Sequence, residues 1–465
     1  MSTFTRLCLP STIALVIRIP PVVQHLRTPS PERPSHALEG RQPAGLRLPE
    51  PGGQRRLGGR SLGALVEGAQ PLLERPSLGQ RWVRGQGGVE ASALLRPEPT
   101  ARVAAIRGND LYAMTREALE AVGGAKAVVN PGETVFIKPN MVTLPWAHLG
   151  RNPFVIGECT KPEIVIAVAE ECLRAGAAEV IVGDGSQMPR FSWEQATTLD
   201  GSTSLAAEAQ RLSSAYKGNV RLVCLDADSP EWAEVPSRTG LGKIAISSLV
   251  ARADRVISVP VLKTHQWAQL TLSLKNFVGV TPLARYGANL EGAIPRIILH
   301  TTSEGIEQVF LDIAHALRPD LAVIDASICV EANGPSVGNE GGVTVDMKDR
   351  LGSWLLLAST DLVAADATAA RVINHDVSGV RQLRMAYEQG LGEVREDLIE
   401  MIGERLDDLR VDWVPAEPAE PAGLGGWGYL PPGDRLQLAW HPMTHRSGAP
   451  RVSPGVQSDS MAESH

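Results

Sequence analysis

The sequence predicts an α/β fold: a mostly parallel sheet of βαβ units with helices on both faces, built as one layer or as two lobes around a cleft. Three observations predict it. Short Val/Ile/Leu-rich runs alternate with helix-patterned segments over residues 134–389. One pair of runs is spaced as strand, helix, strand. The runs are continuous rather than alternating, as strands covered on both faces must be.

Taken in order, TVFIKPN (134–140) is a β-rich run that stops at a proline. PEIVIAVAEECLRAG (162–176) carries helix signals: Pro in the first turn, Glu163 near the positive end, and Gly at the stop. EVIVGDGS (179–186) returns as a strand entering a Gly-containing turn. Those lengths make a βαβ unit, which requires parallel pairing and a right-handed crossover. Further strands are expected at VRLVCLD (220–226), ADRVISVPVL (253–262), DLAVIDA (320–326) and WLLLAST (354–360), and helices at 303–317, 361–373 and 378–389.

The flanks differ. Residues 1–100 are rich in Arg, Pro and Gly and lack sustained periodicity, so they bury too little apolar surface to offset their ordering entropy and are expected to be a disordered extension. The opening run MSTFTRLCLPSTIALVIRIPP is interrupted by prolines and has no clear cleavage site, so a secretion signal is not expected and the cytoplasm is. The tail, 413–465, is again Pro/Gly-rich. One compact unit is expected over 101–412.

A net charge of −7 argues against a nucleic-acid footprint. No apolar run reaches the roughly 20 residues that span a bilayer, so no membrane partner is expected. The five cysteines are scattered without a C-x-x-C pair, which argues against a zinc ribbon, an iron–sulfur cluster or a disulfide framework. No sequence feature sets an oligomeric state. Only eight of 45 basic residues are lysines; in an arginine-rich chain each lysine raises the question of whether an amine is specifically needed.

Polar residues recur where strands should end. Lys138 and Asn140 close the first run, Asp184 the second, and Lys263, Thr264 and His265 the fourth. Asp325 closes the next, with Glu331 in the loop EANGPSVGNEGG (331–342), and Asp361 and Asp366 follow the last. Each alone reads equally as turn or capping chemistry. Together, on one rim of a parallel sheet, they make a pocket hypothesis. The stretch VPVLKTHQWAQLTLSLKNFVGV (259–280) concentrates it. Lys275 there is a nucleophile, covalent anchor or anion ligand, or a lysine whose buried stem carries its head to solvent. His265 and His300 read as general bases, metal ligands or hydrogen-bonded imidazoles. HExxH and the P-loop lysine motif are both missing.

Five segments in order, VFIKPNMV, TKPEIVIAVAEECLRAGAAEVIVGDGS, the 259–280 stretch, DLAVIDASICVEANGPSVGNEGG and LLLASTDLVAADATAARVI, resemble the proteins grouped as domain of unknown function 362, over roughly residues 132–392. That resemblance implies no particular activity. Many members carry a cysteine-rich ferredoxin-like segment, and this chain lacks those cysteines. A second resemblance, of spacing, is to the nickel-pincer-nucleotide lactate racemases, with His265, a lysine ten residues on at Lys275, and the downstream His300. It implies a lysine that anchors the cofactor and histidines that ligate nickel or move a substrate proton; the Gly-rich surroundings of that lysine are missing.

The expectation is an enzyme acting on a small anionic ligand by isomerase- or racemase-like proton transfer. His265, Lys275, Lys263 and His300 are its catalytic candidates, and Lys138, Asn140, Asp184 and Asn276 hold the anion. The alternatives are a non-catalytic metal- or cofactor-binding module, with Asp325, Glu331 and Asp366 as metal candidates, and a redox-associated protein without its iron–sulfur domain.

Overall fold

The computed structural model describes residues 98–287, 295–337 and 341–417; residues 1–97 of the extension expected over 1–100, and 418–465 of the tail expected over 413–465, lie outside them. Among the described residues the strands are β1 (Ala101–Gly108), β2 (Thr134–Pro139), β3 (Glu179–Asp184), β4 (Asn219–Cys224), β5 (Trp232–Pro236), β6 (Lys243–Ser247) and β7 (Arg255–Val259). They continue with β8 (Val261–His265), β9 (Gln269–Thr271), β10 (Leu321–Ala332), β11 (Gly342–Asp346), β12 (Trp354–Ser359) and β13 (Ile399–Gly403). The main sheet runs β13-β1-β12-β10-β7-β2-β3-β4, with β11 and β8 also on β10 and β9 on β8. β5 and β6 form a separate hairpin.

From β4 to β10 every pairing is parallel. The expected helices lie at Pro162–Arg174, Ile306–Leu317, Leu362–Val372 and Arg381–Glu388. Strand alternation divides the core between the two faces. Val135 and Ile137 of β2, with Leu356 and Ala358 of β12, pack beside Ile164 and Val168 on one side. Phe136, Leu355 and Leu357 face the other side, with Val309, Phe310 and Val363.

The sheet is mostly parallel, as expected, and mixed at one side. β12 is antiparallel to both β10 and β1. The chain between β10 and β12 turns back through β11 instead of crossing over a helix, and parallel pairing needs such a crossover. Two expectations about the rim are corrected as a result. Asp361 and Asp366 follow a strand that points the opposite way from β2, β3 and β8. Asp325 lies inside the 12-residue strand β10, not at its end. Pro260 splits the run expected at 253–262 into β7, which pairs with β2 and β10, and β8, which pairs with β10 and β9. Residues 270–280, read as partly alternating, are instead the end of β9 and a 3-10 turn, Lys275–Val280.

Candidate active site

The parallel strands β2, β3 and β8 end on one rim, and there a cavity of about 120 Å³ opens. It is lined by Lys138, Asn140, Asp184, His265, Lys275, Asn276 and His300, together with residues that sequence reasoning passed over: Gln187, Trp267, Thr271 and Arg296.

The wall opposite the imidazoles is a closed polar network. Lys138 Nζ lies 2.5 Å from Asp184 Oδ1 with both side chains buried. It also donates to the Pro139 carbonyl at 2.8 Å and to Asn276 Oδ1 at 3.3 Å. An ammonium has three hydrogens, and three acceptors take them. Burial pushes the Lys138 pKa down, against the pull of Asp184. Asn276 Nδ2 donates to the Lys138 carbonyl (2.6 Å) and to Ser258 Oγ (3.1 Å), so this amide is a brace. Asp184 Oδ2 accepts from Met141 N at 2.7 Å. Gly279 is required here: a Cβ would sit 2.6 Å from Asp184 Oδ1 and 2.9 Å from Lys138 Nζ. Arg296, also buried, donates to the Ser186 and Thr281 carbonyls and pairs with Asp226 at 3.4 Å.

The turn that delivers Lys275 is pinned from below. Asp366 accepts from Ser273 N (2.9 Å), Ser273 Oγ (2.6 Å) and Leu274 N (3.1 Å). Ser258 Oγ donates to the Ser273 carbonyl at 2.9 Å. Burial outweighs the three donors and raises the Asp366 pKa to about 7.

The remaining wall is aromatic. The His265 and His300 rings are nearly parallel, with centroids 6.0 Å apart and 11° between planes. Trp267 lies against both, at 5.7 and 5.2 Å. The two Nδ1 atoms are used in opposite senses. That of His265 faces the backbone N–H groups of Trp267 (3.1 Å) and Ala268 (3.4 Å) and accepts, which puts the neutral ring's hydrogen on Nε2. That of His300 faces the Arg296 carbonyl at 3.1 Å and must donate, which leaves Nε2 a bare lone pair. Burial, and then the Lys275 charge, depress both imidazoles: His265 well below its usual value and His300 to about 3.

Four candidates stand elsewhere. Lys263 is buried outside the cavity lining and donates to the Glu158 carbonyl at 2.7 Å, although its charge reaches His265. Asp325 accepts from Lys161 N and Ser327 N, both at 3.0 Å, with the Lys161 ammonium 3.3 Å away. Glu331 pairs with Arg350 at 2.9 Å and accepts from Val414 N. Asp366 holds the turn described above. These three carboxylates do not converge, and no group of three or more His, Cys, Asp or Glu among the described residues is arranged to hold a metal ion.

His265 is also turned the wrong way for ligation. A metal on Nε2 would leave the hydrogen on Nδ1, against two N–H donors, whereas ligating imidazoles donate their second nitrogen to an acceptor. The space also falls short of the roughly 300–1,000 Å³ of pockets for drug-sized ligands, so the described walls do not fit a nucleotide-sized cofactor on Lys275. The described cysteines, Cys159, Cys172, Cys224 and Cys329, are buried free thiols. Burial pushes the thiols of Cys159 and Cys172 up, to about 11 and about 12.

Fold and site together define an α/β protein with a histidine- and lysine-lined cavity at the carboxyl ends of its parallel strands. The chain belongs to the family described as Domain of unknown function (DUF362), whose profile matches residues 135–371. It is 24% identical over 340 residues to a thylakoid-associated protein of Synechocystis sp., a match covering 72% of this chain and 91% of that protein. Among solved structures it is similar to the lactate racemase apoprotein of Thermoanaerobacterium thermosaccharolyticum, at 12% identity and a TM-score of 0.28 over 54% of each chain. A Thermotoga maritima protein matches at 11% identity and a TM-score of 0.29, over 51% of this chain and 55% of that one. The chain therefore spans about half the length of the solved structures it matches. Among the described residues no helix is long and apolar enough to cross a membrane.

Proposed function

We propose that the cavity is the active site of an enzyme that moves a proton on a small anionic molecule, with His300 as the base and His265 as a neutral hydrogen-bond donor. The observation that supports this is the opposite use of the two Nδ1 atoms, which leaves one Nε2 bare and the other protonated. His300 Nε2 takes a proton from the substrate. The resulting imidazolium keeps its Nδ1–H on the Arg296 carbonyl, a contact that favours the charged ring. His265 Nε2–H donates to the substrate oxygen on which negative charge develops, and protonation at its Nδ1 is opposed by the two backbone donors. Return of the proton from His300 to a neighbouring atom gives isomerisation; return to the same atom and face gives exchange, and return after the carbanion has turned its other face to His300 gives racemisation.

With a pKa near 3 the empty-site His300 is a weak base. Burial is the larger cause of that fall and the Lys275 charge the smaller; an anion beside Lys275 offsets the second, so ligand binding raises the basicity part of the way. The ligand and the base are thereby coupled.

The test is C–H exchange in D₂O over a panel of 2-hydroxy, 2-oxo and 2-amino carboxylates and small phosphate esters, followed by proton NMR. Wild-type protein is expected to exchange at least one of them, and His300→Asn to slow that exchange by about 10²–10⁴-fold. Exchange that is unchanged in His300→Asn contradicts the assignment, as does a co-purified anion, identified by mass spectrometry, that shows no exchange.

A further inference from the structure

Two residues that line the cavity each carry a buried polar atom without a hydrogen-bond partner: Thr271 Oγ1 and Trp267 Nε1. Both residues come from the turn and second strand of the β8–β9 hairpin that also carries His265. Thr271 is 3% exposed, so its hydroxyl has no recourse to bulk water. A buried donor with no acceptor is destabilising, and native structures retain few of them without a reason. Here two occur four residues apart in one short hairpin, in residues lining the same cavity, with the Trp267 ring against both imidazoles.

The other polar groups of the wall do not share this condition. The three hydrogens of Lys138 and both amide hydrogens of Asn276 have acceptors within the protein. The Arg296 guanidinium is spent on two carbonyls and Asp226. Among the lining residues described, the two buried side-chain donors without an acceptor thus both belong to the hairpin that carries His265.

We infer that Thr271 Oγ–H and Trp267 Nε1–H are the positioning donors for the substrate's anionic group, and that this group is a carboxylate. The inference rests on the proton-transfer reading for what happens next, and narrows its substrate class. An indole and a hydroxyl each offer a single hydrogen. That is one for each of two oxygens, the number a carboxylate presents. A phosphoryl group brings a third terminal oxygen and a larger charge to desolvate. The cavity of about 120 Å³ holds on the order of four waters' share of liquid, which matches a carboxylate of a few carbon atoms. Held by the hairpin, it would present its adjacent carbon to the two imidazoles on the same wall.

The experiment measures binding and stability together, in the full chain. Glycolate, lactate, acetate and inorganic phosphate are titrated calorimetrically into wild-type, Thr271→Val, Thr271→Ser and Trp267→Phe proteins, and the ligand-free melting temperature of each is recorded. At least one carboxylate is expected to bind more tightly than phosphate. Thr271→Val and Trp267→Phe should each weaken it by about ten- to a hundredfold, as for a hydrogen bond to a charged group, and Thr271→Ser should restore it. Ligand-free Thr271→Val should melt at or above the wild-type temperature, because an isosteric methyl replaces an unsatisfied hydroxyl.

A Thr271→Val protein that melts lower yet binds normally overturns the inference, because the hydroxyl is then structural. Binding of phosphate at least as tight as any carboxylate, or binding of none of the carboxylates, overturns the ligand class. The two readings separate cleanly. Donor-dependent carboxylate binding without C–H exchange sinks proton transfer and keeps this inference. Exchange indifferent to Thr271→Val and Trp267→Phe does the reverse.

Discussion

Removing either charge of the Lys138–Asp184 pair should destabilise the protein, and removing both should cost clearly less than the sum of the two single changes. The two atoms are 2.5 Å apart with both side chains buried. At an effective dielectric of about 20 their attraction is roughly 7 kcal/mol, most of which offsets desolvation. A single deletion leaves an uncompensated buried charge, at a cost of about 3–5 kcal/mol. For a unit of this size, at about 2 °C per kcal/mol, Lys138→Met and Asp184→Asn should each lower the melting temperature by roughly 6–10 °C.

The two variants should differ in their pH response. In Asp184→Asn the Lys138 pKa, already depressed by burial, loses the carboxylate that opposed the fall. Its folded value then lies further below the unfolded 10.5. The unfolded chain binds more protons in that window, so stability rises with pH as the folded amine deprotonates. Asp184→Asn should therefore recover part of its melting temperature as pH rises toward the unfolded value of 10.5, and Lys138→Met should not. The double variant should recover at least about 2 kcal/mol relative to the sum of the singles. Thermal melts by circular dichroism at several pH values measure all of this. Single shifts below about 2 °C, or an additive double variant, would refute the view that this pair is the site's structural keystone.

Further predictions concern the groups around it. Gly279→Ala inserts a methyl 2.6 Å from Asp184 Oδ1; it should cost about 1–3 kcal/mol by overpacking and reduce ligand affinity, as melts and titrations would show. His300 has a folded pKa near 3 against 6.5 unfolded, so its contribution to stability grows as pH rises from about 3 to 6.5. His300→Asn should flatten the stability–pH profile there by up to about 1.4 kcal/mol per pH unit. Asp366 has the opposite sign: raised from 3.8 to about 7, it loses stability as pH rises across that window. Asp366→Asn should steepen the upward slope by a similar amount, read by denaturant titration from pH 4 to pH 7.

The parallel half of the fold was legible because its strands are continuous apolar runs and its helices carry ordinary start and stop signals. Hence TVFIKPN, EVIVGDGS and the helix after Thr160 fell where expected. The antiparallel half was not, since nothing local in EANGPSVGNEGG distinguishes a hairpin loop, of which 338–340 lie outside the described residues, from a rim loop. That ambiguity carried Asp325 and Asp366 onto a rim they do not occupy. Seven of the expected residues meet in one cavity. Lys138, Asn140, Asp184 and His265 do so because β2, β3 and β8 share a direction, which hydrophobic patterning conveys, whereas Lys275, Asn276 and His300 arrive on a 3-10 turn and a short helix. Their roles depend on which atoms are already engaged, and sequence does not convey that. Lys138 looked like an anion ligand until Asp184, Pro139 and Asn276 were seen to take its hydrogens. Arg296 gave no signal because arginine is the common cation of this chain. Trp267 and Thr271 were passed over because an indole and a hydroxyl beside apolar residues read as core.

The most direct test of the account is the protonation of the two cavity imidazoles, which needs no substrate. Long-range proton–nitrogen NMR of ¹⁵N-histidine-labelled protein, with signals assigned through His265→Asn and His300→Asn, reports which ring nitrogen carries hydrogen. The account predicts two neutral rings at pH 7, His265 with its hydrogen on Nε2 and His300 with its hydrogen on Nδ1. The same tautomer at both, or a protonated His265, would contradict the division of labour proposed for them.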